Sequence, residues 1–385
     1  MKALAIVHRV YIGQLIKPGG LDRFFSFLGE KGGYEIVTIE HPLDLRGETV
    51  LRRITKDGIV KDRAVNIGFS FFGPLRLTAE LLFNIYEVVF GKKRFDVAFC
   101  ADPFNLFSGH ILKRMGFVRL LVFHSADYSD RRFGNAVLNR IYQSLYRKAL
   151  KNADVVFAVS IRMFQRCREL LGKDADKVIF FPNAPRFARA PKRQARKLAN
   201  TVILAGHLIR DFDYRIVLEA IADLKVRYPR ILLKIVGEGE GAGIIGSLVE
   251  KMDIRENVIL AGALSQEEAL REISQSDIGL TCYTDGVTWN FYRDSIKIRD
   301  YAACGLPVVS DNTTSTALDA HQHGCCLLYE NKEGLKRGIS TLLDNKDFYD
   351  KTSENALAWA RKNDSETIFE RSLALVLNKL ESLRT

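Results

Sequence analysis

Short buried apolar runs alternate with amphipathic helical stretches along the whole chain, and this alternation restricts the fold more than any single residue does. Residues 2–8 (KALAIVH) predict a buried strand, Gly19-Gly20 opens a helix over LDRFFSFLGEKG, and a strand returns at residues 35–39. Strand, glycine turn, helix, strand is the start of a βαβ unit. Further strands are predicted at residues 95–101, 120–123, 153–159 and 178–181, with helices around 106–115 and 135–151. The second half alternates more tightly, with strands at residues 201–205, 231–236, 258–260, 278–282, 307–310 and 326–328. Helices such as 214–227 and 266–275 separate them. The pattern predicts an α/β protein of two Rossmann-like, doubly wound parallel-sheet domains facing a central cleft. Ligands of such sheets bind beyond the carboxyl ends of the strands, so the cleft is the expected site.

At 385 residues the chain suits two domains of roughly 190 each. The expected division is an N-terminal domain over residues 1–185, a linker over 186–200 and a C-terminal domain over 201–360. Residues 361–385 are expected to form a helix that packs back on the first domain. The linker expectation rests on the basic, alanine-rich stretch RFARAPKRQARK at residues 186–197. The six cysteines show no metal-ligand spacing, and most sit beside apolar residues, so they read as small core residues in a reducing compartment. The N-terminus lacks the long apolar core of a secretory leader and is expected to be the first strand. No apolar run is long enough to span a bilayer.

Charge is unevenly placed. Residues 1–190 hold 31 Lys and Arg against 18 Asp and Glu, a net of +13. Residues 191–385 hold 26 against 28, a net of −2. This asymmetry favours an anionic partner for the first half: membrane headgroups, a phosphate-bearing lipid or nucleic acid. Nucleic acid is set aside, because no recognisable module interleaves cations with base-stacking aromatics. Residues 69–89 (FSFFGPLRLTAELLFNIYEVV), followed by Lys92-Lys93-Arg94, read either as a core helix or as an interfacial helix resting on a membrane.

The richest stretch for chemistry is residues 295–312, SIKIRDYAACGLPVVSDN. It predicts a short helix, a small-residue turn and a buried strand. Lys297 and Asp300 stand three apart and share a helix face. Gly305 stops the helix, Pro307 prevents its restart, and Val308-Val309 begin the strand. A helix start bearing Lys and Asp above a parallel sheet is suited to a phosphorylated, ribose-bearing ligand.

From Asp294 to Val309 this stretch resembles the signature of the family 4 glycosyltransferases (glycosyl transferases group 1), which have the two-domain GT-B fold. The resemblance continues in order through Gly19-Gly20, His124 and Asp127, ADVVFAVS (residues 153–160), Pro182-Asn183 and AGHLIRDFD (205–213). KIVGEGEG (234–241), NVILAGAL (257–264) and SDIGLTCY (276–283) follow. The resemblance implies that Gly19 and Gly20 approach a donor diphosphate. It implies that His124 lies near the reacting sugar and orients it, with Asp127 as the alternative base. Arg210 and Lys297 are the implied diphosphate cations. In the family an arginine usually follows the strand-ending glycine, here Gly206, and a lysine comes a few residues on. Those positions here hold His207 and Phe212. Gly206, His207, Gly237 and Glu238 are implied near the nucleotide, and Ser295 and Ile296 as backbone N–H donors to sugar or phosphate. Asp300 would accept the ribose hydroxyls. The family's earlier signature glutamate is replaced by Tyr292, and the nearby acids Asp285 and Asp294 are out of register.

The expected function is a retaining, hexosyltransferase-type glycosyltransferase that moves a sugar from a nucleotide-sugar, a UDP-sugar most often in the family. The acceptor is a glycan or lipid-linked intermediate of polysaccharide or glycoconjugate biosynthesis. No metal or other cofactor is expected: cations and helix N-termini would take the ion's place. The expected location is the cytoplasm, or the cytoplasmic face of a membrane with an anionic surface as partner. Two other readings share the fold: a nucleotide-sugar epimerase, and a non-catalytic subunit that binds or anchors a partner.

Overall fold

The strand β1 (Lys2–Arg9) is buried along nearly its whole length, as an uninterrupted apolar run in a parallel sheet must be. It belongs to a computed structural model that describes all residues except 10, 13–14, 17–18, 44–46, 57, 69–72, 194–198, 210–211, 284–287 and 384–385. The chain divides into two units: Met1–Pro182 with Glu366–Thr385, and Asn183–Ser365.

In the first unit β1 leads through the small ribbon β2 (Tyr11–Ile12) and β3 (Leu15–Ile16) to α1 (Gly20–Lys31), β4 (Glu35–Pro42), β5 (Thr49–Thr55) and β6 (Gly58–Val65). Then come α2 (Gly73–Val89), β7 (Phe95–Cys100), α3 (Pro103–Arg114), β8 (Val118–Ser125), α4 (Ala136–Asn152), β9 (Val155–Ala158), α5 (Ile161–Leu171) and β10 (Val178–Phe180). The eight-stranded sheet runs β10-β9-β8-β7-β1-β4-β5-β6. It is parallel as far as β4 and ends in the antiparallel strands β5 and β6. Right-handed crossovers put α1 on one face and α3, α4 and α5 on the other. On the α1 face Phe24, Phe99, Phe157 and Phe181 form an aromatic cluster. The late helix α14 (Ser365–Glu381) completes it with Phe369, whose ring lies 5.4 Å from Phe24 and 5.5 Å from Phe181.

The second unit holds β11 (Thr201–Ala205), α6 (Tyr214–Leu224), β12 (Leu232–Val236), α7 (Gly241–Lys251), β13 (Val258–Gly262), α8 (Gln266–Ser274) and β14 (Ile278–Leu280). It continues with α9 (Thr288–Tyr292), α10 (Ile296–Ala303), β15 (Val308–Asp311), α11 (Ser315–Gln322), β16 (Cys326–Tyr329), α12 (Lys332–Asp344) and α13 (Lys346–Lys362). Its sheet is wholly parallel, in the order β13-β12-β11-β14-β15-β16. The strand order reverses between β11 and β14, which makes their carboxyl ends the switch point.

The stretch expected as a linker is in large part a piece of the second unit. Ala190 is buried in its core with Phe187 packed beside it. The Arg193 side chain is largely covered and donates to Asp277 at 2.8 Å, because that buried carboxylate at the foot of β14 also accepts from the N–H groups of Ala199 and Thr201 and needs a cation. Among the described residues no helix is long and apolar enough to cross a membrane. All six cysteines are buried and unpaired.

Candidate active site

At the switch point of the second unit the backbone comes unusually close to itself. Gly206, just past β11, has φ +128°, and Gly237, just past β12, has φ +139°. A Cβ at Gly237 would overlap the Gly206 carbonyl, and a Cβ at Gly206 would overlap the Lys297 side chain. Only glycine fits both demands. The two loops are laced together: Gly206 N–H donates to Val236 O at 2.8 Å and Leu208 N–H to Glu238 O at 2.9 Å. The His207 ring donates through Nδ1 to the same Glu238 carbonyl at 2.8 Å.

Lys297 lies in the first turn of α10 and crosses directly over Gly206. Its ammonium sits 4.3 Å from the Phe212 ring centre and 5.1 Å from that of Tyr283. Those rings meet edge-on at 5.0 Å, and the two residues form an isolated β-bridge. Tyr301 anchors α10 below: its hydroxyl accepts from Ala205 N–H at 2.8 Å and donates to Leu280 O at 3.1 Å, tying the helix to β11 and β14. Asp300 is half-buried, one turn along from Lys297.

Other sequence-predicted residues are held differently. Ser295 N–H donates to Thr316 Oγ1 at 3.0 Å, so it is already bonded within the protein, and its hydroxyl meets Tyr283 at 2.9 Å. Ile296 begins α10. Asp294 is fully buried and saturated by Arg299 at 2.8 Å, Thr316 Oγ1 at 2.8 Å and Asn183 N–H at 2.6 Å. Tyr292 is buried at the end of α9, with no carboxylate in its place. Glu238 is exposed, and its carboxylate accepts from Ala263 N–H at 3.4 Å. Arg210 and Asp285 lie outside the described residues.

In the first unit Gly19 caps α1, but its N–H donates to Asp22 Oδ2 at 2.6 Å, and Asp22 pairs with Arg9. Gly20 is buried at the helix start. His124 lies in β8, 4% exposed, and neither ring nitrogen has a hydrogen-bond partner among the described residues. Its ring stands edge-on to Phe181 at 5.8 Å. Burial lowers its pKa to about 3, so the imidazole is neutral. Asp127 is exposed and paired with Arg132 at 2.9 Å.

The carboxyl ends of β1, β4 and β7 carry a polar cluster that sequence reasoning missed. His8 donates to Asp102 at 2.7 Å and to Glu80 at 3.0 Å. Two carboxylate acceptors require both ring N–H groups, hence an imidazolium. Burial alone would lower its pKa, but Asp102 and Glu80 outweigh burial and raise it to about 10. Arg76 donates to the other Glu80 oxygen at 2.7 Å. His41, 5.5 Å from His8 ring to ring, is bonded to Thr49 Oγ1 and Asn84 Oδ1, both at 2.9 Å, and burial lowers its pKa to about 4. A signal was present: each of these strands runs from apolar residues into a polar pair or acid, His8-Arg9, Glu40-His41 and Asp102.

The comparisons with known proteins agree with this architecture. The family described as glycosyl transferases group 1 matches residues 187–359, and glycosyltransferase family 4 matches residues 35–185. A Haemophilus influenzae protein named uncharacterized glycosyltransferase is 28% identical over 186 residues, 47% of this chain and 50% of that protein. The GDP-mannose-dependent alpha-(1-6)-phosphatidylinositol monomannoside mannosyltransferase of Mycolicibacterium smegmatis is 24% identical over 192 residues, 46% of this chain and 50% of that one. The chain thus spans about half the length of the curated relatives it matches. Sucrose-phosphate synthase from Thermosynechococcus elongatus superposes with a TM-score of 0.76 at 14% identity, covering 99% of this chain and 100% of that one. Anabaena HepE in complex with UDP-glucose superposes with a TM-score of 0.65 at 16% identity, over 99% and 100%. With both halves matched by family and both sheets matched by fold, the chain belongs to the GT-B glycosyltransferases.

Proposed function

We propose that this chain transfers a sugar from a nucleotide-sugar, a UDP-sugar in this reading, to a glycan or lipid-linked acceptor, with retention of anomeric configuration and without a metal ion. One observation carries the reading: Gly206, Gly237 and Lys297 converge at the switch point of a parallel sheet, with a helix N-terminus beside them. Close-approaching backbone, N–H groups and an ammonium suit a diphosphate. As the bond from the sugar's anomeric carbon to the diphosphate breaks, negative charge grows on the leaving oxygen. The acceptor hydroxyl oxygen bonds to that carbon on the same face, and its proton passes to the diphosphate. A cation held there stabilises the transition state more than the ground state. His124, neutral and with two unsatisfied ring nitrogens, fits a role in holding sugar hydroxyls rather than in taking protons. HepE was solved with UDP-glucose, and the mycobacterial relative acts on a phosphatidylinositol mannoside; these support a UDP-sugar donor and a lipid-linked acceptor respectively.

Calorimetry with UDP, GDP and ADP tests the donor half, and a donor-hydrolysis screen with and without membrane extract tests the transfer half. UDP is expected to bind most tightly, and donor turnover to rise when the extract is added. Tightest binding of GDP would change the donor. No binding of any of the three at millimolar concentration would end the enzyme reading. Binding with no turnover would favour the non-catalytic scaffold, a rival that Tyr292 and Phe212 at the family's charged positions speak for. Sugar conversion without acceptor would favour the epimerase.

A further inference from the structure

Helix α2 is inside out. Its inward face is polar: Arg76, Glu80, Asn84 and Glu87 are buried. Its outward face is apolar: Leu82 is 60% exposed, Tyr86 56%, and Phe90, just past its end, 72%. The helix cannot roll its apolar face inward, because Glu80 is bonded to His8, Asn84 to His41, and Glu87 to Arg63. Rolling would strip the buried His41 and the half-buried His8 of these partners. The same outer layer continues through α3 to α4, which are packed side by side. On α4, Val137, Leu138 and Ile141 are exposed by 61%, 48% and 51%.

Beside the apolar residues of α4 the charge is predominantly positive. From residue 131 to residue 153 the chain has six cations, Arg131, Arg132, Arg140, Arg147, Lys148 and Lys151, and no acid. They line a groove of about 1170 Å³ along α4. Arg140, Arg147, Lys148 and Lys151 are exposed and have no acidic partner among the described residues. The bounding acids are already engaged, Asp130 by Arg166 at 3.2 Å and Asp154 by Lys113. Beyond α2 follow Lys92, Lys93 and Arg94.

We propose that the outer face of the α2–α3–α4 layer docks on an anionic phospholipid bilayer, with the α2 and α4 apolar residues at the acyl boundary and the α4 cations on headgroup phosphates. Exposed apolar side chains interleaved with unopposed cations match an interface that is hydrocarbon below and anionic above. A small phosphate would satisfy only the cations, and an apolar protein surface only the rest. The inference concerns binding without donor, so it stands or falls apart from the transfer reaction.

The test is co-sedimentation of the full chain with phosphatidylcholine vesicles, with and without phosphatidylglycerol. Binding is expected only with the anionic lipid and is expected to fall with salt. Replacing Arg147, Lys148 and Lys151 together by Gln is expected to weaken it about 100-fold, about fivefold per cation. Leu82→Ser with Tyr86→Ser, which keeps the charge, is expected to weaken it at least about tenfold. All five side chains are exposed, and thermal melts check that the variants fold. Three outcomes would overturn the proposal: no binding of the folded wild type to anionic vesicles at low salt, undiminished binding by the folded triple variant, or undiminished binding by the folded double variant.

Discussion

Three neighbours that carry no charge help to place Lys297: Gly206 leaves room beneath it, and Phe212 and Tyr283 lie with their rings against the ammonium. Replacing Lys297 by Ala should leave the fold intact and lower turnover about 100-fold, near 3 kcal/mol of transition-state stabilisation. Steady-state kinetics on the folded variant check this; unchanged turnover would make it an ordinary surface lysine. The two glycines should separate fold from function. Gly237→Ala drives a Cβ into backbone and should cost about 3 kcal/mol in a urea melt. Gly206→Ala shares the backbone strain of a positive φ but meets only the flexible stem of Lys297, so beyond that strain its effect should fall on nucleotide affinity and turnover. Three histidines set opposite pH limbs, two the acid one and one the alkaline. Burial lowers the His41 pKa from 6.5 to about 4, so its contribution to stability is full above 6.5 and is lost as pH falls through 4. His124, lowered to about 3, acts in the same direction. The His8 pKa is raised from 6.5 to about 10 against the opposing effect of burial, so its contribution is full below 6.5 and is lost as pH rises through 10. Melting temperatures across pH should show both limbs, with His8→Gln flattening the alkaline one and His41→Gln the acid one. An unchanged alkaline limb in the first variant would disprove the assignment.

At the scale of elements, the parallel strands were legible because burial on both faces leaves a continuous apolar run. Residues 201–205 were read to the residue, and strands such as β7 and β15 to within one. The antiparallel pair β5 and β6 was not read, although Asp57-Gly58 stands between two alternating runs, a recognised hairpin signal. The orientation of α2 could not be read from its own sequence, because what draws Glu80 and Asn84 inward is His8 and His41 on distant strands. Arg193 was misread for the same reason, since Asp277 lies 84 positions away. In the candidate site the strand-end glycines and Lys297 were legible from local spacing. The occupied N–H of Ser295 was not, because Thr316 arrives from α11. Helix α14 carries an energetic expectation of its own. Phe369, 1% exposed, touches the rings of Phe24, Phe27 and Phe181. Phe369→Ala should cost about 3–5 kcal/mol, read from urea unfolding; a loss below about 1 kcal/mol would mean the aromatic cluster closes without it.

At the scale of the whole molecule, the first unit is not contiguous in sequence, since residues 366–385 belong with 1–182. This orders events on the ribosome. The second unit is synthesised between the two parts of the first, and at roughly 5–20 residues per second that takes about 10–40 s. Throughout that interval the site on the first unit that receives Phe369 has no occupant, and the apolar side chains of Phe24, Phe27 and Phe181 are open to water or to any holdase that binds nascent chains. A chain halted at Ser365 should therefore bind a hydrophobic dye and associate with chaperones, while the chain of residues 1–385 should do neither. Adding a peptide of residues 365–381 in trans should quench the dye signal. The helix that closes the first unit is thus made only after the whole of the second.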